Sequence, residues 1–267
     1  MTEAVPSDAA AARSDVLLAA ELAEATGRML IRLRRHRMAS GSAMTGASDR
    51  LAELADRRAH TFLAGELARL RPRDAVLSEE ALPPPDRGTA PRLWIIDPLD
   101  GTSDFAAGRP DFAVHVALVE GGRVTAAAVA VPAENQVLAT NRVALAPTGA
   151  RQNAPLAVSR SRMPVFAPVV ASALGIEVEA LGSAGYKTAR VVAGHARAYV
   201  HAGGIREWDV AAPAGVAVAA GLAVTDLDGR PIVFNQPDLT LARGLVICRR
   251  EDLPVILRAV ATVTLPP

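Results

Sequence analysis

The chain has 267 residues, half of them hydrophobic, and 29 Lys and Arg against 28 Asp and Glu. That is enough apolar material for one large core or two closely packed ones, and the near-neutral balance gives no electrostatic reason for a nucleic-acid polymer or membrane partner. Its single cysteine, Cys248, excludes an internal disulfide framework, and no apolar run reaches the ~20 residues of a membrane span, so a cytoplasmic globular protein is expected.

The opening stretch MTEAVPSDAAAA lacks the basic start and apolar centre of a signal peptide, and residues 1–13 read as a disordered tail. From Ser14, Leu18, Leu22, Met29 and Leu33 recur at helical spacing, and the segment ends in Arg32, Arg34, Arg35 and Arg37, cations that suit a solvated helix C-terminus. ASGSAMTGASD (39–49) has the composition of a mobile loop, and a second helix fits Leu51 to Leu70. DAVLSEE is a short strand running into Glu79 and Glu80; the proline-rich 82–91 cannot be regular; RLWIID is a strand that Pro98 should stop. Two β-like runs then flank Gly121-Gly122, a hairpin signal, and QVLATN could add a strand. Residues 146–155 form the seam between a 14–152 half and a 153–267 half, in which EVEALGS, ARAYVHAGG and GLVICR are extended, AGYKTARVVAG and WDVAAPAGVAVAAG are helical, and a helix closes from Asp252. The expected class is α/β (α+β).

The chemistry concentrates in acids at element ends. If the strands ending at Glu79 and Asp97 are neighbours, their carboxylates meet at one edge of a sheet, and Asp100 turns back over the same edge. Acids clustered without bases repel one another, and a hard divalent cation, Mg²⁺ or Mn²⁺, is the usual remedy for an all-oxygen set. Gly101-Thr102 opening a helix would offer backbone N–H groups to a phosphate. Metal and amide cradle together imply phosphoryl chemistry. Taken singly, each piece has an ordinary explanation: a solvated strand end for Glu79-Glu80, an Asp turn for Asp97-Asp100, a helix first turn for Asp209.

LSEE, WIIDPLDGTSDF and EWDVAAPAG together resemble the motif set of the inositol monophosphatase superfamily, from about Val16 to the C-terminal helix. The resemblance implies a layered αβαβα sandwich and Mg²⁺-dependent, lithium-sensitive hydrolysis of a phosphomonoester by water, with two to three ions and no covalent intermediate. It implies Glu79, Asp97, Asp100, Asp209 and the Leu99 carbonyl as metal ligands. Asp56 and Thr102 would orient and deprotonate the water, with Glu80 beside the ligands, and the Gly101 and Thr102 amides would hold phosphate. Where the family often has Thr, three before Asp56, this chain has Glu53, which either adds an acid or faces solvent.

The inositol-binding glutamate of family members corresponds to Ala202, which lowers the expectation of inositol. GSAGYK and YVHAGGIREWDVAAPAG are similar to 3′(2′),5′-bisphosphate nucleotidases of the actinobacterial type, implying 3′-phosphoadenosine 5′-phosphate as substrate and Ser183, Lys187 and His201 near its second phosphate. Ser183 could instead cap a helix, and His201 could be structural. Arg206 and Glu207 are either rim contacts or a solvated pair, and Tyr186 and Trp208 are candidates for stacking on a base. A broader inositol, sugar or nucleoside monophosphatase and a non-catalytic binder of phosphorylated ligands are the alternatives, and the chain is a monomer or homodimer.

Overall fold

The structure, a computed structural model, describes residues 8–39, 47–146 and 153–263. The expected loop at 39–49 and seam at 146–155 therefore fall largely outside the described residues. Helix α1 (Asp8–Ala39) begins six residues inside the expected tail, because the alanine-rich 9–12 stretch continues the helix of the following apolar repeat. It packs with α2 (Ala47–Leu70) on one face of a five-stranded sheet. That sheet is β1 (Ala75–Ser78), β2 (Leu93–Asp100), β3 (Ala113–Glu120), β4 (Arg123–Val131) and β5 (Gln136–Ala139), in chain order, with β1 and β2 parallel and the rest antiparallel.

Strand periodicity divides β2 between two cores. Trp94, Ile96 and Leu99 face the α1–α2 layer, and Leu93 and Ile95 face a middle layer made by α5 (Ala184–Val192) and α6 (Glu207–Ala219). Both faces being covered explains why every residue of β2 is buried. Beyond the middle layer lies a second sheet of β6 (Leu156–Ser159), β7 (Val178–Leu181), β8 (Ala198–His201), β10 (Ala223–Thr225) and β12 (Leu245–Cys248), ordered β10-β12-β8-β6-β7. Its outer face takes α4 (Ala167–Leu174) and α7 (Leu253–Ala261). A small ribbon pairs β9 (Ile205–Arg206) with β11 (Thr240–Leu241). The result is the expected five layers, αβαβα. No helix among the described residues is long and apolar enough to cross a membrane.

Pro98 does not stop β2. The strand continues to Asp100 through a register shift against β3, where Asp97 pairs with His115 but Asp100 with Ala113. A proline is tolerated there because the bulge does not need its missing N–H. The helix expected from the Gly-Thr turn is the short α3 (Thr102–Ala106), entered through Gly101 at φ 90°. A Cβ on Gly101 would stand 3.0 Å from the Asp111 carbonyl, so both backbone conformation and space require glycine.

Candidate active site

Parallel pairing of β1 with β2 sets Ser78 beside Ile96, so Glu79 and Asp97 leave the sheet at the same edge. The helix α6 reaches that edge with its first turn. One carboxylate oxygen each from Asp97, Asp100 and Asp209 lie within 4.8 Å of one another. In each, a backbone N–H fixes one oxygen: Leu99 donates to Asp97 Oδ1 (3.1 Å), Gly185 to Asp100 Oδ2 (2.9 Å) and Arg206 to Asp209 Oδ2 (2.8 Å). Asp97 Oδ2 is buried with no hydrogen-bond partner. Oriented, under-satisfied, all-oxygen donors are what a hard divalent cation takes, so the residues present fit Mg²⁺ or Mn²⁺.

The electrostatics follow from that crowding. Burial, then the charges of Asp100, Glu79, Asp209 and Asp56, push Asp97 well above the usual carboxylate range. Glu79 is raised to about 8 by loss of water around its carboxyl, then by Asp209, Asp56 and Asp100. Asp209 rises to about 6, through burial and then Asp100. Asp100 behaves oppositely. Its burial is outweighed by His115, Lys187 and the Ser183 hydroxyl, which hold it below the ordinary value. Its Oδ2 accepts from Ser183 Oγ at 2.5 Å and from the Gly185 N–H, at the start of α5.

Asp56 projects from α2, 5% exposed, with Oδ1 unpartnered. Burial and the charge of Glu80 raise it to about 7, and the neighbouring Thr102 hydroxyl acts in the lowering direction. The Thr102 hydroxyl proton goes to the Leu99 carbonyl at 3.0 Å, tying together two residues expected in the site. Glu80 is exposed beyond β1, its N–H 3.4 Å from Ser78 Oγ. Glu53 faces solvent in an i, i+4 pair with Arg57, and so adds no acid to the cluster.

Asp100, Gly101, Thr102 and Asp209 form one end of a cleft of about 340 Å³ whose other walls include Ser183, Lys187 and His201. The last three have protein partners. Lys187 is 3% exposed, and its ammonium donates to the Gly182 and Ser183 carbonyls (2.9 and 2.7 Å) and lies 4.9 Å from the Tyr199 ring centre. Burial lowers it to about 8, against the pull of Asp100. Ser183 caps α5 by accepting from the Tyr186 N–H while its own proton goes to Asp100. His201 is lowered to about 4, by burial and then by Lys187 and Arg162, and its Nδ1 accepts from the Gly203 N–H. It is neutral at physiological pH.

Neither expected stacking residue lines this cleft. Tyr186 bonds to Glu134, and the Arg206 guanidinium lies over the Trp208 ring at 4.7 Å. Glu207 is neither rim nor solvated, because its buried carboxylate accepts from the N–H groups of Asn235 and Gln236. His115, in β3, went unnoticed in the sequence. It is fully buried, with Nε2 3.2 Å from Asp100 Oδ2 and Nδ1 3.1 Å from the Trp208 carbonyl. Its strand parity with Ala113 and Ala117, which face the middle layer, was the available signal.

The sequence matches the family model described as the inositol monophosphatase family over residues 13–264. It is 44% identical over 263 residues to the 3′-phosphoadenosine 5′-phosphate phosphatase of Mycobacterium leprae, covering 94% of each chain. To the 3′(2′),5′-bisphosphate nucleotidase CysQ of Escherichia coli it is 32% identical over 202 residues, 71% of this chain and 82% of that one. Among solved structures, CysQ from Bacteroides thetaiotaomicron aligns with a TM-score of 0.74 at 23% identity, over 89% of this chain and 97% of that one. The extragenic suppressor protein SuhB of Bartonella henselae gives 0.72 at 22%, over 94% and 99%. These two likenesses concern the fold. Motif, cluster, layers and end-to-end similarity agree: the chain belongs to the inositol monophosphatase family.

Proposed function

We propose that the chain is a phosphoric monoester hydrolase that removes the 3′-phosphate of 3′-phosphoadenosine 5′-phosphate, giving AMP and phosphate. The observation that carries the reading is the 44% identity, over nearly the whole of both chains, to a relative of that name. The residues that would hold the cations, two or three Mg²⁺ with Mn²⁺ as substitute, are Glu79, Asp97, Asp100, Asp209 and the Leu99 carbonyl. Bound there, Mg²⁺ would neutralise phosphate charge and acidify a water.

The chain's own groups do the rest. Asp56, raised to about 7, is suited to take the proton of the attacking water near neutral pH, with Thr102 fixing its orientation. The water oxygen would form the new bond to phosphorus as the bond to the ester 3′-oxygen breaks; the leaving oxygen takes a proton from solvent water, and Asp56 returns its proton to solvent, so the protons balance. The amides of Gly101 and Thr102 would hold the phosphate. Burial of Asp56 beside Thr102 favours an enzyme over a silent binder, which has no use for a raised carboxyl at this place. Because Lys187 and Ser183 are engaged by the protein, their part toward the second phosphate is to shape the wall; neutral His201 could present its Nε2–H.

A broader sugar or inositol monophosphatase is the second reading, favoured by 30% identity over 213 residues to the fructose-1,6-bisphosphatase/inositol-1-monophosphatase of Thermotoga maritima. Against it, Ala202 has no group to bond a polyol. Measuring kcat/KM on 3′-phosphoadenosine 5′-phosphate, inositol 1-phosphate, fructose 1,6-bisphosphate and a nucleoside monophosphate decides between them. The bisphosphate nucleotide should be preferred, and equal or better turnover of a non-nucleotide would overturn the assignment. Inhibition by millimolar Li⁺, a cytoplasmic location and a role in sulfate assimilation belong to the same proposal.

A further inference from the structure

We propose that His115 is a positioning residue that sets Asp209 at its distance from Asp100, and so shapes the cation site from behind. The proposal rests on the reading that these two carboxylates hold a divalent cation. His115 is 0% exposed in the middle of β3, among apolar neighbours. A buried imidazole in such a place needs polar partners. Those it has all belong to the acidic site. Nδ1 lies 3.1 Å from the Trp208 carbonyl, and because a carbonyl only accepts, the Nδ1 proton is committed there. Nε2 makes no hydrogen bond but stands against Asp100 Oδ2 at the ion-pair distance of 3.2 Å, and Nδ1 is 3.9 Å from Asp97 Oδ2.

Trp208 directly precedes Asp209 in the first turn of α6. One rigid ring therefore spans from a carboxylate on β2 to the backbone beside a carboxylate on α6, elements more than a hundred residues apart in sequence. The width of the ring becomes the spacing of the two acids.

The neighbouring helix is shaped around the same ring. A Cβ on Gly185 would fall 2.2 Å from His115 Nε2, and 2.9 Å from both Ala113 Cβ and Val129 Cγ1. With glycine there, α5 closes in far enough for the Gly185 N–H to reach Asp100 Oδ2 at 2.9 Å, beside the Ser183 hydroxyl. These contacts converge on Oδ2 and spare Oδ1, the oxygen the cation would take. An ordinary core histidine would need none of this: neither a carboxylate at one nitrogen, nor a glycine where the ring meets a helix. His115 and Gly185 are a matched pair.

The test is direct Mn²⁺ binding without substrate, followed by loss of the free-ion EPR signal, on wild type, His115→Ala, His115→Asn and Gly185→Ala, with Asp209→Asn as control. Partners that orient metal ligands typically contribute about 10–100-fold to affinity, and His115→Ala and Gly185→Ala should each weaken Mn²⁺ binding within that range. Acting through one ring, they should not add in the double variant. Asparagine can place its amide where Nδ1 stood and donate to the Trp208 carbonyl, so His115→Asn should recover part of the loss. The half-saturating Mn²⁺ for activity should rise in parallel, while KM for the phosphate ester at saturating Mn²⁺ changes little. Wild-type Mn²⁺ affinity in folded His115→Ala and Gly185→Ala overturns the proposal. If the alanine variant does not fold, His115→Asn and Gly185→Ala decide on the same scale. Wild-type affinity in Asp209→Asn would instead overturn the underlying cation reading.

Discussion

The two ends of the first sheet treat acidic side chains in opposite ways. Where β2 begins, Asp15, Asp74 and Glu120 are bound by two arginines: Arg71 to Asp15 at 2.6 Å, and Arg92 to Asp15, Asp74 and Glu120 at 2.8, 3.0 and 3.1 Å. The Trp94 indole adds a hydrogen bond to Asp74. Where β2 ends, burial and the charges of Asp209 and Asp56 raise Glu79 and Asp97, no salt bridge to an arginine is seen for any of these four among the described residues, and Asp56 Oδ1 and Asp97 Oδ2 have no hydrogen-bond partner. Both ends set carboxylates in or beside the sheet, with one fully or nearly fully buried in each, Asp15 at one and Asp97 at the other. The difference is compensation from within the chain: at one end it makes acids architectural, and at the other its absence leaves them for an external cation and a reacting water.

The contrast can be broken experimentally. The largest effect belongs to Asp56→Asn. Removing the group that takes a proton should lower kcat by about 10²–10⁴-fold while binding of 3′-phosphoadenosine 5′-phosphate persists in calorimetry. An unchanged kcat would mean that the raised carboxyl at the open end does no chemistry.

Next come two substitutions of opposite expected sign. Asp15→Asn removes the buried carboxylate that Arg71 and Arg92 both bind and should destabilise the fold by about 1–3 kcal/mol in urea unfolding. Asp97→Asn replaces a carboxyl that burial already drives toward its neutral form, so it should raise Tm in EDTA and abolish the further rise on adding Mg²⁺. Equal losses of Tm from both would erase the distinction between the two ends.

The smallest effect is a pH dependence. Asp56, Glu79 and Asp209 are raised to about 7, 8 and 6, above their ordinary values, so the folded state holds protons that the unfolded chain releases. Their contribution to metal-free stability is complete below about pH 4 and is lost progressively as pH rises from there through the raised values, to about pH 8. In EDTA, Tm should fall across that window, and Mg²⁺ should flatten the curve. A Tm that rises with pH in EDTA would contradict the electrostatics.

Much of this could be read from the sequence because the acids sit where local signals are strong. Trp94-Ile95-Ile96 before Asp97, and Gly101 after Asp100, mark a strand end and a turn whatever the rest of the chain does. Pairing of the Glu79 and Asp97 strands was a conditional expectation that the parallel β1–β2 register met. What escaped depends on partners distant in sequence. Pro98 reads as a terminator locally, and only the shifted register shows the strand running on. The resemblance places Lys187 and Ser183 near a second phosphate, with a helix cap as the other reading of Ser183; only the placed helix α5 shows Ser183 capping it and bonded to Asp100, and Lys187 bonded to the helix start. His115 in an apolar strand resembles any core residue until α5 and α6 are placed against it. The strand β6 and helix α4 were missed because Leu156–Ser159 is only four residues long, and Pro164 and Pro168 interrupt the helical pattern around Phe166.

The most direct test is an anomalous-difference map from crystals of the wild-type protein grown with Mn²⁺. A peak bounded by carboxylate oxygens of Asp97, Asp100 and Asp209, absent from Asp97→Asn crystals, is the predicted result. No peak there, with those oxygens instead hydrogen-bonded to protein donors, would contradict the claim that the chain leaves them uncompensated for a cation.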